Sequence, residues 1–375
     1  MVINNFPSGE ITPPPSKSLS HRALICAWLS GADIFDPSCV KNLGDSNDIR
    51  ATKRCLDALR NKKTLDCGES GSTLRFLMPL AALQGGADFI ESGQLHVLER
   101  PLWPYKNTID FLQKRGRIRV ASGLKSGDYA LHGDVSSQFF SGLLMALPLV
   151  NGDSTLIFSS PLESRSYVEM TLDVMEAFGV HVESLENGWK IPGNQRYVYT
   201  KYTVEADYSQ AAFFLAAAAL GRDVVCKGLS PDSRQGDREI VEIVAKIGNS
   251  LQPVDVDAGN IPDIVPPIAA LCCFCNGESH IYNAGRLRLK ECDRLHALAV
   301  ELSKLGADIT EGADNLTIRG KNRLSGGTAD SHGDHRIAMS IAVAAIGCDA
   351  PVELTGWESV GKSYPNFWKD WGCIV

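Results

Sequence analysis

The chain has 375 residues, a length that suggests two domains, with three conceivable. Hydrophobic residues make up 44% and charged residues 22%, a composition that excludes a disordered, collagen-like or fibrous protein. A formal net charge of -7 argues against a chain built mainly to coat nucleic acid. Eleven scattered cysteines, an odd number, read as reduced thiols rather than as a disulfide framework.

Residues 1–16 are Pro-rich and lack a basic start followed by an apolar run, so no signal or transit peptide is read there. The most apolar stretch, Ile264 to Cys275, is too short to span a bilayer. A cytoplasmic protein with no membrane association is expected.

Along the chain one kind of segment recurs six times. It has a polar lead-in, a helix-length run of small and apolar residues, a Gly or polar turn, and a short β-prone run. The copies begin near His21, Ser72, Gln138, Gln210, Asp263 and His335. Their helices are apolar nearly all round and are predicted to be buried. A second segment follows each of the first five copies: an amphipathic helix, a Gly or polar stop, and a strand. These read DIRATKRCLDALRNKKTLD, YKNTIDFLQKRGRIRV, VEMTLDVMEAFGVHVE, REIVEIVAKIGNSLQ and DRLHALAVELSKLGADIT. In the last, Leu295, Leu298, Ala299, Leu302 and Leu305 share one helical face. The sixth is shortened to PNFWKDWGCIV. Repeats suggest a solenoid, but helices that need cover on every side favour compact lobes of about three units each.

The lead-ins are PPSKSLSHR, GESGSTLR, VSSQFF, ADYSQA, NIPDIV and HGDHRI. Each precedes a buried helix, where unpaired N–H groups and the helix dipole favour anions. Taken singly, Ser, Thr and Asp there are ordinary caps. Six of them, with Lys17, Arg22, Arg75 and Arg336 in or just inside them, point to a site for a strongly anionic ligand if the lobes face each other through these ends.

Other motifs divide by context. Gly356 to Ser363 matches the phosphate-loop pattern G-x-x-x-x-G-K-[ST]. Only twelve residues follow, and Pro365 comes at once, so a nucleotide loop is not expected. Lys362 meeting a phosphate in another setting stays open. His332, Asp334 and His335 have no partner cluster at ligand spacing and adjoin Arg336, so no metal site is expected. Cys272, Cys273 and Cys275 read as inert core thiols. Lys290, Glu291, Asp293 and Arg294 put two cations and two carboxylates within five residues, either as a solvated first turn or as a site. Asp263 is either a helix cap or a base.

Taken together, PPSKSLSHR, GESGSTLR, ERP (99–101), SSQF, ESRSY, NIPD, LKECDR, GDHR and GKSYPNFW occur in the order found in 5-enolpyruvylshikimate-3-phosphate synthases, which this chain resembles from about residue 8 to its end. The resemblance implies an α/β (α+β), two-lobed enolpyruvyl transferase-like fold. Its six βαβαββ-type repeats lie three per lobe, with buried helices inside and sheets outside. One lobe would be discontinuous, 1–15 plus 206–375, and the other 16–205, with the active site in the cleft between them. The implied reaction moves the enolpyruvyl group of phosphoenolpyruvate to the 5-hydroxyl of shikimate 3-phosphate, through a tetrahedral intermediate and with loss of phosphate. It implies no metal and no organic cofactor, and a monomer is expected.

By motif match, shikimate 3-phosphate would be held by Lys17, Ser18, Arg22, Ser136, Ser137, Gln138, Ser164, Tyr167, Asp263 and Lys290. Phosphoenolpyruvate would be gripped through Lys17, Gly71, Arg100, Gln138, Arg294, Arg336 and Lys362. The catalytic residues would be Asp263 as base for the hydroxyl, Glu291 as proton donor, and Lys17 assisting. In sensitive members glyphosate competes at the phosphoenolpyruvate site, against which the glycine matching Gly71 packs. Three departures stand out. Glu69 replaces a common Asn and is not assigned as a ligand. The run NAGRLRLK differs in spacing from longer members, with Arg286 a candidate to assist Lys290. The region from Lys17 to Glu69 is shorter than usual. The sister family, UDP-N-acetylglucosamine enolpyruvyl transferases, uses a loop cysteine that the Arg100 segment lacks. That activity, or a non-catalytic binding protein for an anionic small molecule, is the alternative.

Overall fold

The computed structural model describes residues 1–92 and 97–373. The chain forms two compact units, Pro15–Glu205 and a split unit of Met1–Pro14 with Ala206–Val375. Among the described residues no helix is long and apolar enough to cross a membrane.

In the 15–205 unit the helices are α1 (Lys17–Leu29), α2 (Asn47–Arg60), α3 (Gly71–Leu83), α4 (Ser137–Ala146) and α5 (Arg165–Ala177). Helices α1, α3 and α4 are buried along nearly their whole length. By contrast α2 buries only one side, with Ile49, Cys55, Leu56 and Leu59 inward. Two four-stranded sheets share one plan. Leu65–Asp66 runs parallel to Ala87–Ile90, which continues antiparallel into Arg117–Val120 and Phe111–Lys114. Asp128–Leu131 runs parallel to Ser154–Phe158, which continues into Gly188–Ile191 and Glu183–Leu185. A parallel pair cannot be joined by a tight turn. Its crossovers here are the apolar helices α3 and α4, which explains why those helices are buried. The third sheet has two strands, Val40–Lys41 parallel to Tyr202–Thr203.

The split unit repeats the plan with α6 (Tyr208–Ala219), α7 (Ile240–Ile247), α8 (Val265–Cys272), α9 (Arg294–Lys304), α10 (His335–Ala345) and α11 (Phe367–Asp370). Asp255–Asp257, Glu278–Tyr282, Leu316–Arg319 and Asp308–Glu311 form its four-stranded sheet, with α8 as the crossover. Gly327–Asp330 is parallel to Val352–Thr355 across α10, and Val2–Ile3 adds antiparallel. Gly9–Ile11 pairs with Val224–Cys226. Each of the six sheets among the described residues thus holds one parallel pair. The shortened C-terminal copy folds as α11, whose Phe367 packs on Phe213 and Phe214 of α6 and stacks on Trp371.

One expected element does not form. The run YKNTIDFLQKRGRIRV is not an amphipathic helix and strand. It begins in a 3-10 turn, Trp103–Tyr105, and ends in the hairpin Phe111–Lys114 and Arg117–Val120. The alternation of RIRV buries Ile118 and Val120, while Arg117 and Arg119 reach Asp88 at 2.8 and 2.9 Å. Gly116, at φ +70°, makes the turn.

Helices α3 and α4 approach closely at Gly142. A Cβ there would collide with the Tyr105 hydroxyl and come within 2.6 Å of the Arg75 carbonyl oxygen. Tyr105 is fully buried, its hydroxyl 2.8 and 3.0 Å from the carbonyl oxygens of Arg75 and Phe139. Gly142→Ala should therefore overpack this contact and cost about 1–3 kcal/mol, measured as a drop in unfolding free energy in urea.

Candidate functional site

In the 15–205 unit the expected residues gather at helix N-termini. Ser16 caps α1, and Lys17 follows, its Nζ 2.9 Å from Asp48 of α2. Arg22 is buried one turn further on. Its Nε donates to Thr171 Oγ1 (2.7 Å), Nη1 to the Ser18 carbonyl (2.7 Å), and Nη2 to Ser141 Oγ and the Tyr167 carbonyl. Its guanidinium also lies over the Phe76 ring. Burial lowers its pKa to about 10. Arg22 thus knots α1 to α4 and α5. Ser70 caps α3, placing Gly71 as its first, buried residue. Ser136 caps α4 by accepting from the Gln138 amide, and Ser137 is buried beside it. The Gln138 side chain accepts from Arg75 Nη1 (2.7 Å) and donates to Ser72 Oγ (2.9 Å), linking α3 to α4. Ser164 precedes α5 in a left-handed conformation, φ +53°, with Tyr167 in the first turn. Arg100 has a buried Nη2 with no hydrogen-bond partner among the described residues.

In the split unit the carboxylate and the cations converge on one another. Asp263, just ahead of α8, accepts at Oδ1 from Lys290 (3.3 Å) and Arg294 (3.1 Å), and at Oδ2 from Arg336 (3.2 Å). Burial alone would raise its pKa, but Arg336, Lys290 and Arg294 hold it well below the ordinary Asp range. Lys290 is lowered, first by burial and then by Arg294 and Arg286, against the opposing pull of Asp263. Arg286 is itself nearly buried, and its Nη2 donates to the Gly259 carbonyl.

Arg294 is 1% exposed and spends its donors on three carboxylates. Nε and Nη2 reach Asp334 at 2.7 and 3.3 Å, Nη2 reaches Glu291 at 2.8 Å, and Nη1 reaches Asp263. Arg336 reaches the Ser209 hydroxyl and the Asp263 carbonyl. Lys362 is buried at the end of the turn Trp357–Lys362. The phosphate-loop match therefore folds as a 3-10 turn and does not lead directly into a long helix.

Sequence reasoning missed three partners. Asp334, weighed only as a metal ligand, is fully buried, caps α10 and anchors Arg294. Its place directly before a buried helix was the available signal. Asp48 holds Lys17, and Ser209 holds Arg336, and neither leaves a mark in the sequence. Of the other two residues in the metal reading, His332 pairs with Glu301 at 2.7 Å and His335 is buried in α10.

Asp334→Asn keeps a capping side chain but takes from Arg294 the one of its three carboxylates that is fully buried, leaving it Glu291 and Asp263. Breaking a buried pair outright typically costs about 3–5 kcal/mol, so a loss up to that size should register in urea unfolding at neutral pH.

A profile of the EPSP synthase (3-phosphoshikimate 1-carboxyvinyltransferase) family matches residues 5–371. A 3-phosphoshikimate 1-carboxyvinyltransferase of Clostridium kluyveri is 41% identical, covering 98% of this chain and 95% of its own. One of Clostridium botulinum is 40% identical with the same coverage. That alignment runs over 418 positions, more than the 375 residues here, so the relative carries segments this chain lacks. The solved EPSP synthase of Acinetobacter baumannii superposes with a TM-score of 0.77 at 23% identity, covering 98% of this chain and 96% of that one. The shared fold, the profile over nearly the whole chain and the 40% relatives agree with one another, and the chain belongs to the EPSP synthase family.

Proposed function

We propose that this chain transfers the enolpyruvyl group of phosphoenolpyruvate to the 5-hydroxyl of shikimate 3-phosphate, releasing orthophosphate in the route to aromatic amino acids. The observation that carries the reading is Asp263 held among Lys290, Arg294 and Arg336, with Glu291 on the same guanidinium. The chemistry needs a base, an acid and cations for a polyanionic substrate, and this cluster contains all three.

Shikimate 3-phosphate is read as held by Ser18, Arg22, Ser136, Ser137, Ser164, Tyr167 and Lys290. Phosphoenolpyruvate is read as gripped by Arg294, Arg336, Lys362, Arg100 and the Gly71 backbone, with Lys17 and Gln138 reaching both substrates. The hydroxyl oxygen attacks C2 of phosphoenolpyruvate while Asp263, assisted by Lys17, takes its proton. Glu291 delivers a proton to the methylene carbon, giving the tetrahedral adduct. Phosphate then leaves with the proton held by Asp263, and a methyl proton returns to Glu291, which forms the enol ether and restores both residues.

Charge pairing suits this order of events. While three cations hold Asp263, it is a weak base. Substrate anions compete for those cations, and a carboxylate that loses cationic neighbours binds a proton more readily. Arrival of the substrates therefore strengthens Asp263 as a base. The reading includes neither a metal nor an organic cofactor, and has the chain act as a cytoplasmic monomer.

The test is phosphate release from phosphoenolpyruvate with shikimate 3-phosphate, and none with UDP-N-acetylglucosamine. Turnover with the sugar nucleotide would instead mark the sister activity, and binding without turnover would mark a binding protein. Glu291→Gln and Asp263→Asn should each lower the rate by about 10²–10⁴-fold, the usual span for a lost general acid or base. Near-normal turnover in either would remove that residue from its role.

Gly71→Ala adds a methyl at the first, buried residue of α3. Overpacking of about 1–3 kcal/mol corresponds to roughly tenfold to a hundredfold in affinity. Glyphosate, longer than phosphoenolpyruvate, should lose more. Its inhibition constant is expected to rise by a larger factor than the KM for phosphoenolpyruvate, and equal changes would show that Gly71 does not line that site.

A further inference from the structure

The segment carrying Lys290 and Glu291 has little regular structure of its own. It lies between the 3-10 turn Gly285–Leu289 and the start of α9 at Arg294. Besides the bonds of its own side chains to Arg294 and Asp263, its hold comes from four consecutive residues in and after the strand Asp308–Glu311. The Asp314 carbonyl accepts from the Ala284 amide at 2.8 Å. Arg288 takes the other three: Nε donates to the Ala313 carbonyl (3.0 Å), Nη2 to the Gly312 carbonyl (2.7 Å), and Nη1 to Glu311 (2.7 Å). That turn is itself closed, with the Gly312 amide bonded to the Asn315 carbonyl.

Arg288 also reaches forward. Its Nη1 donates to Asp293 Oδ2 at 2.8 Å, while Asp293 Oδ1 caps α9 by accepting from the His296 amide. The ion pair between 288 and 293 closes a short ring of chain, and Lys290 and Glu291 project from it. The same carboxylate fixes the first turn of α9, where Arg294 begins. Four charge-assisted bonds from one planar guanidinium define orientation as well as attachment, which an ammonium group could not do.

We propose that Arg288 is a positioning residue for the transfer reaction: it docks the 289–293 segment on the turn Glu311–Asp314 and so fixes Glu291 and Lys290 relative to Asp263. The inference rests on the reading of Glu291 as the proton donor. A displacement of about 1 Å at a reacting group can cost ~10²-fold in rate, so a clamp of this kind should be felt in turnover before it is felt in folding.

The test compares Arg288→Met and Asp293→Asn in the full chain, each alone and combined with Glu291→Gln. Asparagine still caps a helix, so Asp293→Asn removes the ion pair and keeps α9 started, and it carries the test if Arg288→Met fails to fold. Each single variant should lower kcat roughly tenfold to a hundredfold and raise the KM for shikimate 3-phosphate through Lys290. The KM for phosphoenolpyruvate should stay within about threefold, and the circular dichroism spectrum should not change. In the Glu291→Gln background, where the positioned proton donor is gone, either change should lower kcat by less than about threefold, while the rise in KM for shikimate 3-phosphate through Lys290 should persist. Unaltered kcat in the single variants, or an equal loss in both backgrounds, would overturn the proposal. Full turnover by Glu291→Gln alone would instead remove the proton-donor reading on which it rests.

Discussion

The bonds from Arg294 to Asp334, Glu291 and Asp263 organise the split unit. A guanidinium at 1% exposure has lost its water, and its charge is tolerated only because carboxylates surround it. Burial opposes that charge, and Asp334, Glu291 and Asp263 more than offset the cost, holding the group well above the ordinary Arg value. Those carboxylates belong to different segments: Asp263 lies ahead of α8, Glu291 ahead of α9, and Asp334 at the cap of α10. Arg336 continues the knot from α10 to Ser209 in α6. Two side chains thereby tie together the starts of four helices. The 15–205 unit uses the same device, with Arg22 joining α1, α4 and α5, and Arg75 joining α3 to α4 through Gln138.

These cations stand at the wrong ends of their helices. Lys17 and Arg294 are the first residues of α1 and α9, and Arg336 is the second of α10. A helix N-terminus carries partial positive charge and favours acidic side chains. None of the three helices has an acidic residue in its first turn. Sequences that break a local rule in this consistent way do so at functional sites. The carboxylates nearby answer part of the charge, and Arg286, Lys290 and Lys362 add to it. A polyanionic ligand is what such an arrangement accommodates, and the reaction read for this family supplies two.

Much of this was legible in the sequence because it is local. An all-round apolar run with a Ser or Asp before it specifies a buried helix without knowledge of the partner, and the cores of α1, α3, α4, α6, α8 and α10 follow from that pattern. The cap fails only at α8, where Ile264 stands at the N-cap with no side-chain bond and Asp263 is spent on cations. The pairings that set the chemistry were not legible. Asp48 and Lys17 are 31 residues apart, and Arg288 and Glu311 are 23 apart. Nothing in a single sequence ties such positions together. The run NAGRLRLK read only as altered spacing, whereas its second arginine clamps the segment that follows. At 105–120 the reading failed for a different reason. A repeat expectation carried over from the neighbouring copies outweighed the period-two alternation of RIRV, and packing followed the local signal.

That failure also separates the constant part of the repeat from the variable part. Each sheet among the described residues keeps its parallel pair, and in four of the six the chain crosses between those strands through a buried helix, α3, α4, α8 or α10. The antiparallel hairpins and the second, amphipathic helices are supports, and they vary. The sheet of Val40–Lys41 has two strands where its neighbours have four. In the second repeat the amphipathic helix is reduced to the turn Trp103–Tyr105. Helix α3, with Gly71 at its start and Arg75 one turn later, is intact beside that reduction, and Arg100 remains just ahead of the shortened turn. A chain shorter than its relatives can lose such supports without moving a helix N-terminus, provided the core of each unit still closes. In this protein buried arginines tie helices together within each unit, so outer elements can be lost while the helix N-termini stay in place.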